Sequence, residues 1–234
     1  MVGNNTLVSR GNSILDLLPE IERREIFSFG RIVTLANEET IYHFGDTITH
    51  LYFPLNSTFS TTSLMEDGSS AEISLTGSEG LIGVFAAFDN QPSRYWTSTL
   101  IGGETVKVEI TALQKLLSES IKLQTALLDY SRNLMSQISQ RAVCNGRHSL
   151  AERFCFWLLL VHDSAKNNEI FLTHETIARK LGARRAGITN VASTLQTAKT
   201  ISYNRGTIKI INRHRLEKES CECYSAVQNA LATE

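Results

Sequence analysis

Apolar positions along the chain change their period several times. Over residues 14–27 (ILDLLPEIERREIF), Leu15, Leu18, Ile21 and Ile26 recur around Pro19 at spacings that suit one or two short helices. From Gly30 to Ile110 the text turns into short β-branched or apolar runs: RIVTL, TIYHF, HLYFPL, FSTTSL, AEISLT, TSTLI and VKVEI. Turn signals such as Gly45-Asp46, Asp67-Gly68 and Gly102-Gly103 separate them. Strands this short and this evenly spaced predict an antiparallel sandwich or barrel, read here as a β-roll.

Beyond Ile110 the run TALQKLLSESIKLQTALLDYSRNLMSQISQRAVC holds no Gly or Pro for over thirty residues and predicts one long helix. Leu113, Leu116 and Leu117 open it on the β-domain side. Leu128, Ser131, Met135, Ile138 and Ala142 then step by three and four, a narrow seam of the kind that pairs with a second copy of itself. Asn145-Gly146 is the expected helix stop, since both residues accept the left-handed conformation. A further helix from His148 to His162 turns Phe154 and Trp157 to one face, read as core. The expected division is therefore residues 1–112, 113–145 and 146–234.

The stretch LTHETIARKLGARRAGITNVASTLQ (172–196) contains two short amphipathic periods around Gly182. Thr173 is placed to cap the first helix, and Ile177, Ala178 and Leu181 form its inner face. The second begins near Arg184 or Arg185 with Ile188, Val191, Ala192 and Leu195 inward, which makes a helix-turn-helix. Its outer face bears Arg184, Arg185, Gly187, Thr189, Asn190 and Ser193. Arg bonds two acceptors of guanine, Asn does the same with adenine, and Thr offers a hydroxyl or a methyl. TISYNRGTIKIIN follows as a hairpin with Arg205 at its tip, the position of a wing. From it and its flanks, Lys199, Arg205, Lys209 and Arg213 are expected at phosphates.

Charge sharpens this picture. The 234 residues carry 23 Lys and Arg against 24 Asp and Glu, a net −1 that hides two opposite parts. Residues 1–144 hold 10 against 16, and residues 145–234 hold 13 against 8. Between Thr173 and Arg215 nine basic residues face one acid, Glu175, which implies a polyanionic partner.

Other chemistries find little support. No window approaches the roughly 18–20 apolar residues of a membrane span, and MVGNNTLVSRGN has no apolar leader, so a soluble cytoplasmic chain is expected. Cys144, Cys155, Cys221 and Cys223 come late and form no even framework, and reduced thiols are expected. Cys221 and Cys223 stand one residue apart, but no second pair at finger spacing joins them, so no metal is expected. No phosphate loop and no nucleophile–base spacing indicates an enzyme.

In order, a β-roll, a long helix and a winged helix resemble the Crp/Fnr superfamily of bacterial transcription regulators. THETIARKLGARRAGIT and ISYNRGTIKIINRHRLE carry most of the likeness, with QRAVCNGRHSLAERFCFWLLLVHD and SCECY shared with one subgroup. The resemblance implies an α+β fold with a cyclic-nucleotide-binding-like β-roll, a dimerisation helix and a C-terminal winged helix-turn-helix. It implies double-stranded DNA, a second copy of the chain and RNA polymerase as partners, and DNA-binding roles for Arg184, Arg185, Thr189, Asn190, Ser193, Thr173, Lys199 and Arg205.

Two departures from the family pattern matter. In the recognition helix Arg185, Ile188 and Thr189 match, whereas Ala186 replaces a Glu and Asn190 a second Arg, so no operator sequence carries over. In the β-roll the effector positions are Gly80, Leu81 and Arg94. Leu81 stands where cyclic-AMP-binding members place the Glu that takes the ribose hydroxyls, and Tyr95 and Trp96 replace small residues. Cyclic AMP is therefore not the expected effector, and the two rings are expected to fill the pocket. An iron–sulfur cluster lacks thiolates before Cys144, and His43 and His50 are expected as ordinary surface histidines rather than haem ligands. No cofactor is predicted, and the effector is unknown. The alternative reading is a small-molecule sensor whose winged helix docks protein. A salt titration separates the two, because DNA binding falls steeply with ionic strength.

Overall fold

The structure, a computed structural model, describes residues 11–165 and 169–231; the first ten residues, including most of the stretch read as lacking a leader, lie outside it. The buried Asn12 starts the described fold. Its side-chain oxygen accepts from the backbone of Ile14 and Leu15 and so caps α1 (Ser13–Leu17), while its amide donates to Pro54 and Gly80 carbonyls. One side chain thus begins a helix and fastens it to the β-roll. Pro19 separates α1 from α2 (Glu20–Phe29), as the spacing predicted.

All seven expected strands form. They are β1 (Arg31–Leu35), β2 (Thr40–Tyr42), β3 (His50–Pro54), β4 (Thr58–Leu64), β5 (Ser70–Thr76), β6 (Trp96–Ile101) and β7 (Gly103–Glu109), with α3 (Ala86–Asp89) between β5 and β6. They make two antiparallel sheets, ordered β1-β7-β3 and β2-β6-β4-β5. Tyr42, Tyr52, Phe59 and Ile82 pack between the sheets. Leu51, Phe53, Val106 and Val108 bury the other face of the first sheet against Ile26 and Leu113.

The single long helix expected beyond Ile110 is two, α4 (Ile110–Glu119) and α5 (Ile121–Arg147). Ser120 breaks it: its backbone is extended, and its hydroxyl accepts from Leu123 N (2.9 Å) and donates to Glu22 of α2 (2.6 Å). A serine is a better cap than helix-interior residue because it competes for backbone hydrogen bonds. The expected stop at Asn145-Gly146 also fails, since α5 runs on to Arg147 and His148 is its C-cap. Asn and Gly permit a left-handed turn without compelling one, and here the buried Cys144 holds the final turn inward.

Next come α6 (Leu150–Ala165), β8 (Glu169–Phe171), α7 (His174–Leu181), α8 (Arg185–Thr197), β9 (Ile201–Asn204), β10 (Thr207–Ile210), α9 (Arg213–Glu219) and α10 (Cys223–Leu231). Phe154 and Trp157 are fully buried core residues, as read. The wing is a three-stranded sheet, β8-β10-β9, rather than a lone hairpin. β8, α9 and α10 had no distinct signal in the apolar pattern.

A buried polar node joins the two halves. Glu72 of β5 accepts from Trp157 Nε1 of α6 (2.7 Å) and from Ser60 Oγ (2.5 Å). Arg141 Nη1 of α5 lies 3.0 Å from its carboxylate, close enough for charge attraction but off the line of a hydrogen bond. On the surface nearby, Glu38 accepts from Thr176 and Arg179 of α7, and Lys180 donates to Thr62.

Candidate nucleic-acid interface

Local chemistry sets the helix-turn-helix. Thr173 Oγ1 accepts from Thr176 N and caps α7, and Gly182 ends that helix at φ 57° with its own N–H turned back to the last turn. Only a residue without a β-carbon takes that conformation at no steric cost. Arg184 is the N-cap of α8, which buries Ile188, Ala192 and Leu195. A β-carbon at Gly187 would stand 2.8 Å from Leu150 Cδ2, so the end of that leucine side chain would have to move aside.

Arg184, Arg185, Thr189, Asn190, Ser193, Lys199 and Arg205 are all exposed, whereas Thr173 is half-buried in its capping role. The charges divide sharply. Of the nine basic residues from Thr173 to Arg215, Arg179 pairs with Glu38, Lys209 with Glu169, Arg213 with Asp163 and Glu217, and Arg215 with Glu219. Lys180 is largely covered by the β-roll, and burial lowers its pKa. Lys209 and Arg213, expected at phosphates, are thus engaged within the fold. Among the described residues Arg184, Arg185, Lys199 and Arg205 have no acidic partner; Arg184 and Arg185 lie at the start of α8, Lys199 in the turn that follows it and Arg205 in the β9–β10 turn of the wing. Lys199 and Arg205 also hold left-handed backbones, φ 57° and 48°, a conformation uncommon away from glycine. With Gly206 at φ 87°, Arg205 forms the tight turn that lifts the wing tip.

His174, which had no signal in the sequence, ties the unit together. Its ring stacks on Tyr203 of the wing at 4.2 Å, and its Nδ1 lies 3.0 Å from Thr189 Oγ1 of α8. That hydroxyl also donates to Arg185 O at 3.1 Å. Thr189 is thereby held by protein rather than left free for a base. Nε2 is buried without a partner, and burial, with Arg185 nearby, lowers the His174 pKa below its ordinary 6.5. The unfolded chain therefore binds more protons than the folded one as pH falls through about 6.5, and stability present above that pH is lost below it. Unfolding by urea, followed between about pH 8 and pH 5, should show this loss shrink in His174→Gln.

Along α5, Leu128, Met135 and Ala142 of the expected seam are exposed, and Ser131 and Ile138 are half-covered. The opposite face buries Leu123, Ala126, Leu127 and Tyr130 on the β-roll. The chain itself thus leaves Leu128, Met135 and Ala142 of the seam uncovered, while Ser131 and Ile138 are partly covered.

The β-roll and α5 border an open-sided cavity of about 400 Å³ lined by Leu81, Arg94, Tyr95, Tyr130 and Ile138 among others. The expectation that Tyr95 and Trp96 fill it is wrong. Tyr95, in the bend before β6, borders the cavity, while Trp96, the first residue of β6, packs against His43 (ring centroids 4.6 Å). Leu81 and Arg94 both line the space. Gly80 lies behind it and admits no β-carbon, because Tyr130 would stand 2.4 Å away. Because Tyr130, Leu134 and Ile138 form one wall, the cavity touches the helix that bears the seam.

The cysteines are not scattered. Cys144, Cys221 and Cys223 converge with His148, all four donor atoms lying within 4.8 Å of one another. The absence of a second sequence pair was therefore no guide, since Cys144 and His148 arrive from the end of α5. Spacing i, i+4 on a helix was the available signal.

Comparison with known proteins agrees with this layout. The profile of the cyclic nucleotide-binding domain matches residues 32–120, and that of the Crp-like helix-turn-helix domain matches residues 152–219. FixK2 from Bradyrhizobium japonicum is similar in structure, with 17% identity, a TM-score of 0.70 and coverage of 82% of this chain and 98% of that one. TTHB099, a CRP-family transcriptional regulator from Thermus thermophilus, gives 18% identity and a TM-score of 0.68 over 80% and 96% of the two chains. TTHA1359, a CRP/FNR-family regulator from the same organism, gives 16% and 0.66 over 81% and 98%. Comparison with curated proteins yields no significant match.

Proposed function

Because this chain belongs to the Crp/Fnr family of transcription regulators, we propose that it acts as a homodimer on a pseudo-palindromic DNA site and does so without cyclic AMP. The observation that carries the DNA reading is the placement of the four unpartnered cations. Folding pairs or covers the other basic residues of this region and leaves Arg184 and Arg185 at the start of one exposed helix, Lys199 in the turn after it and Arg205 at the wing tip. Two such helices, set about 34–36 Å apart by the α5 seam, would enter successive major grooves. Arg184, Arg185 and Asn190 read base edges; Lys199 and Arg205 hold phosphates; Ser193 and Thr173 border the same surface. Thr189 contributes its methyl and positions α8 through His174. RNA polymerase is the partner that such a dimer would meet at a promoter.

Leu81 offers no acceptor to ribose hydroxyls, which supports an effector other than cyclic AMP. A ligand in the cavity would act through its differential affinity for two settings of α5, whose Tyr130, Leu134 and Ile138 form a wall.

Fluorescence anisotropy on a selected DNA site tests the assignment. Arg185→Ala should cost about 1–3 kcal/mol and relax preference at one base position. Arg205→Asn, chosen because Asn tolerates the left-handed backbone, should weaken all sequences alike and reduce the salt slope by about 0.9. Unchanged affinity and preference in Arg185→Ala would remove α8 as the reading helix.

A further inference from the structure

We propose that Cys144, His148, Cys221 and Cys223 bind one Zn²⁺ ion in a tetrahedral site that clasps the end of α5 to the junction of α9 and α10. The geometry is that of a ligand set. Cys144 Sγ and Cys221 Sγ are 3.5 Å apart, and Cys223 Sγ and His148 Nδ1 are also 3.5 Å apart. A tetrahedral ion with bonds of about 2.3 Å to sulfur and 2.0 Å to nitrogen sets its ligand atoms roughly 3.5–3.8 Å from one another. A disulfide would draw two of the sulfurs to about 2.05 Å and leave the histidine without a purpose. An iron–sulfur cluster spreads its ligands over several irons, wider than this set stands.

Surrounding groups complete the pattern. His148 turns Nδ1 to the sulfurs and Nε2 to Glu222, 3.2 Å away, the carboxylate–histidine relay that orients a metal-bound imidazole. Gln140 Nε2 donates to Cys223 Sγ at 3.0 Å, a bond suited to a sulfur that carries negative charge. The three cysteines are buried, and the histidine is mostly covered. Apolar packing alone accounts for buried thiols but not for an imidazole nitrogen aimed among them. Cys155, also buried nearby, lies outside the set and is an inert core residue.

The consequence is mechanical. Cys144 and His148 sit on the last turn of the seam helix, and Cys221 and Cys223 close the domain that carries α8. The ion replaces three thiol protons and ties these parts where the winged helix meets α5. Zinc loading would therefore fix how α8 is presented.

The test uses the full chain, purified reduced and without chelator. One zinc per chain is expected by elemental analysis. Co²⁺ added to the stripped, reduced chain should give the strong visible bands and sulfur-to-cobalt charge transfer of a tetrahedral thiolate site, displaced by Zn²⁺. Cys221→Ser and Cys223→Ser should each lose the tightly held ion, while Cys155→Ala keeps it. Glu222→Gln, at an exposed side chain that does not endanger folding, should weaken Zn²⁺ binding about 10–100-fold. A folded, reduced chain that holds no stoichiometric zinc and gives only six-coordinate cobalt spectra would overturn the proposal. So would a Cys144–Cys221 disulfide in freshly prepared protein, or an iron–sulfur chromophore.

Discussion

Met135→Asp is expected to leave a folded monomer that has lost most of its affinity for a two-half-site DNA. Met135 is 58% exposed and Leu128 52% exposed on a single chain, so a carboxylate at either position costs the monomer little. In a paired seam the same carboxylate meets its symmetry mate within an apolar interface, where unpaired charge is strongly disfavoured. Joining two DNA-binding units raises affinity through effective concentration by about 10²–10⁴-fold, and that factor should disappear. Light scattering coupled to size exclusion gives the mass, and anisotropy on full and half sites gives the affinity ratio. A variant that remains dimeric would show that α5 does not hold the copies together.

Glu72→Gln should produce the largest loss of folding stability, about 3–5 kcal/mol, because it leaves Arg141 buried without a counter-charge. The substitution keeps the shape of the site and an acceptor for Trp157 Nε1, so the loss reports charge rather than a cavity. Arg141→Met should cost a similar amount by stranding Glu72. The pair Glu72→Gln with Arg141→Met should recover much of the deficit, which a double-mutant cycle by urea unfolding would measure as coupling. Simple additivity would mean that the 3.0 Å approach of the two groups carries no energy of its own. The node joins β5, α5 and α6, so its loss should also loosen the winged helix from the β-roll.

The elements of this protein were written in short-range patterns. Seven strands between Gly30 and Ile110, the cap at Thr173, the turn at Gly182 and the tight turn at Arg205-Gly206 each depend on a few neighbouring residues, so periodicity and turn chemistry predicted them. The expected surface of α8 followed in the same way, because burying Ile188, Ala192 and Leu195 leaves Arg185, Asn190 and Ser193 outside. Local signals misled where two outcomes were locally allowed. Ser120 broke a helix that its neighbours favoured, since Glu22 of another helix takes its hydroxyl, and Gly146 stayed helical while Cys144 packed inward. Tertiary structure alone decided which charges remained free, which ring turned from the cavity and which donors met. Glu72 and Trp157 are 85 positions apart, Cys144 and Cys221 are 77, and Arg179 finds Glu38 across 141. Such meetings depend on how whole layers pack, because a side chain's charge or sulfur exerts its effect over a few ångströms in space and carries no period along the chain.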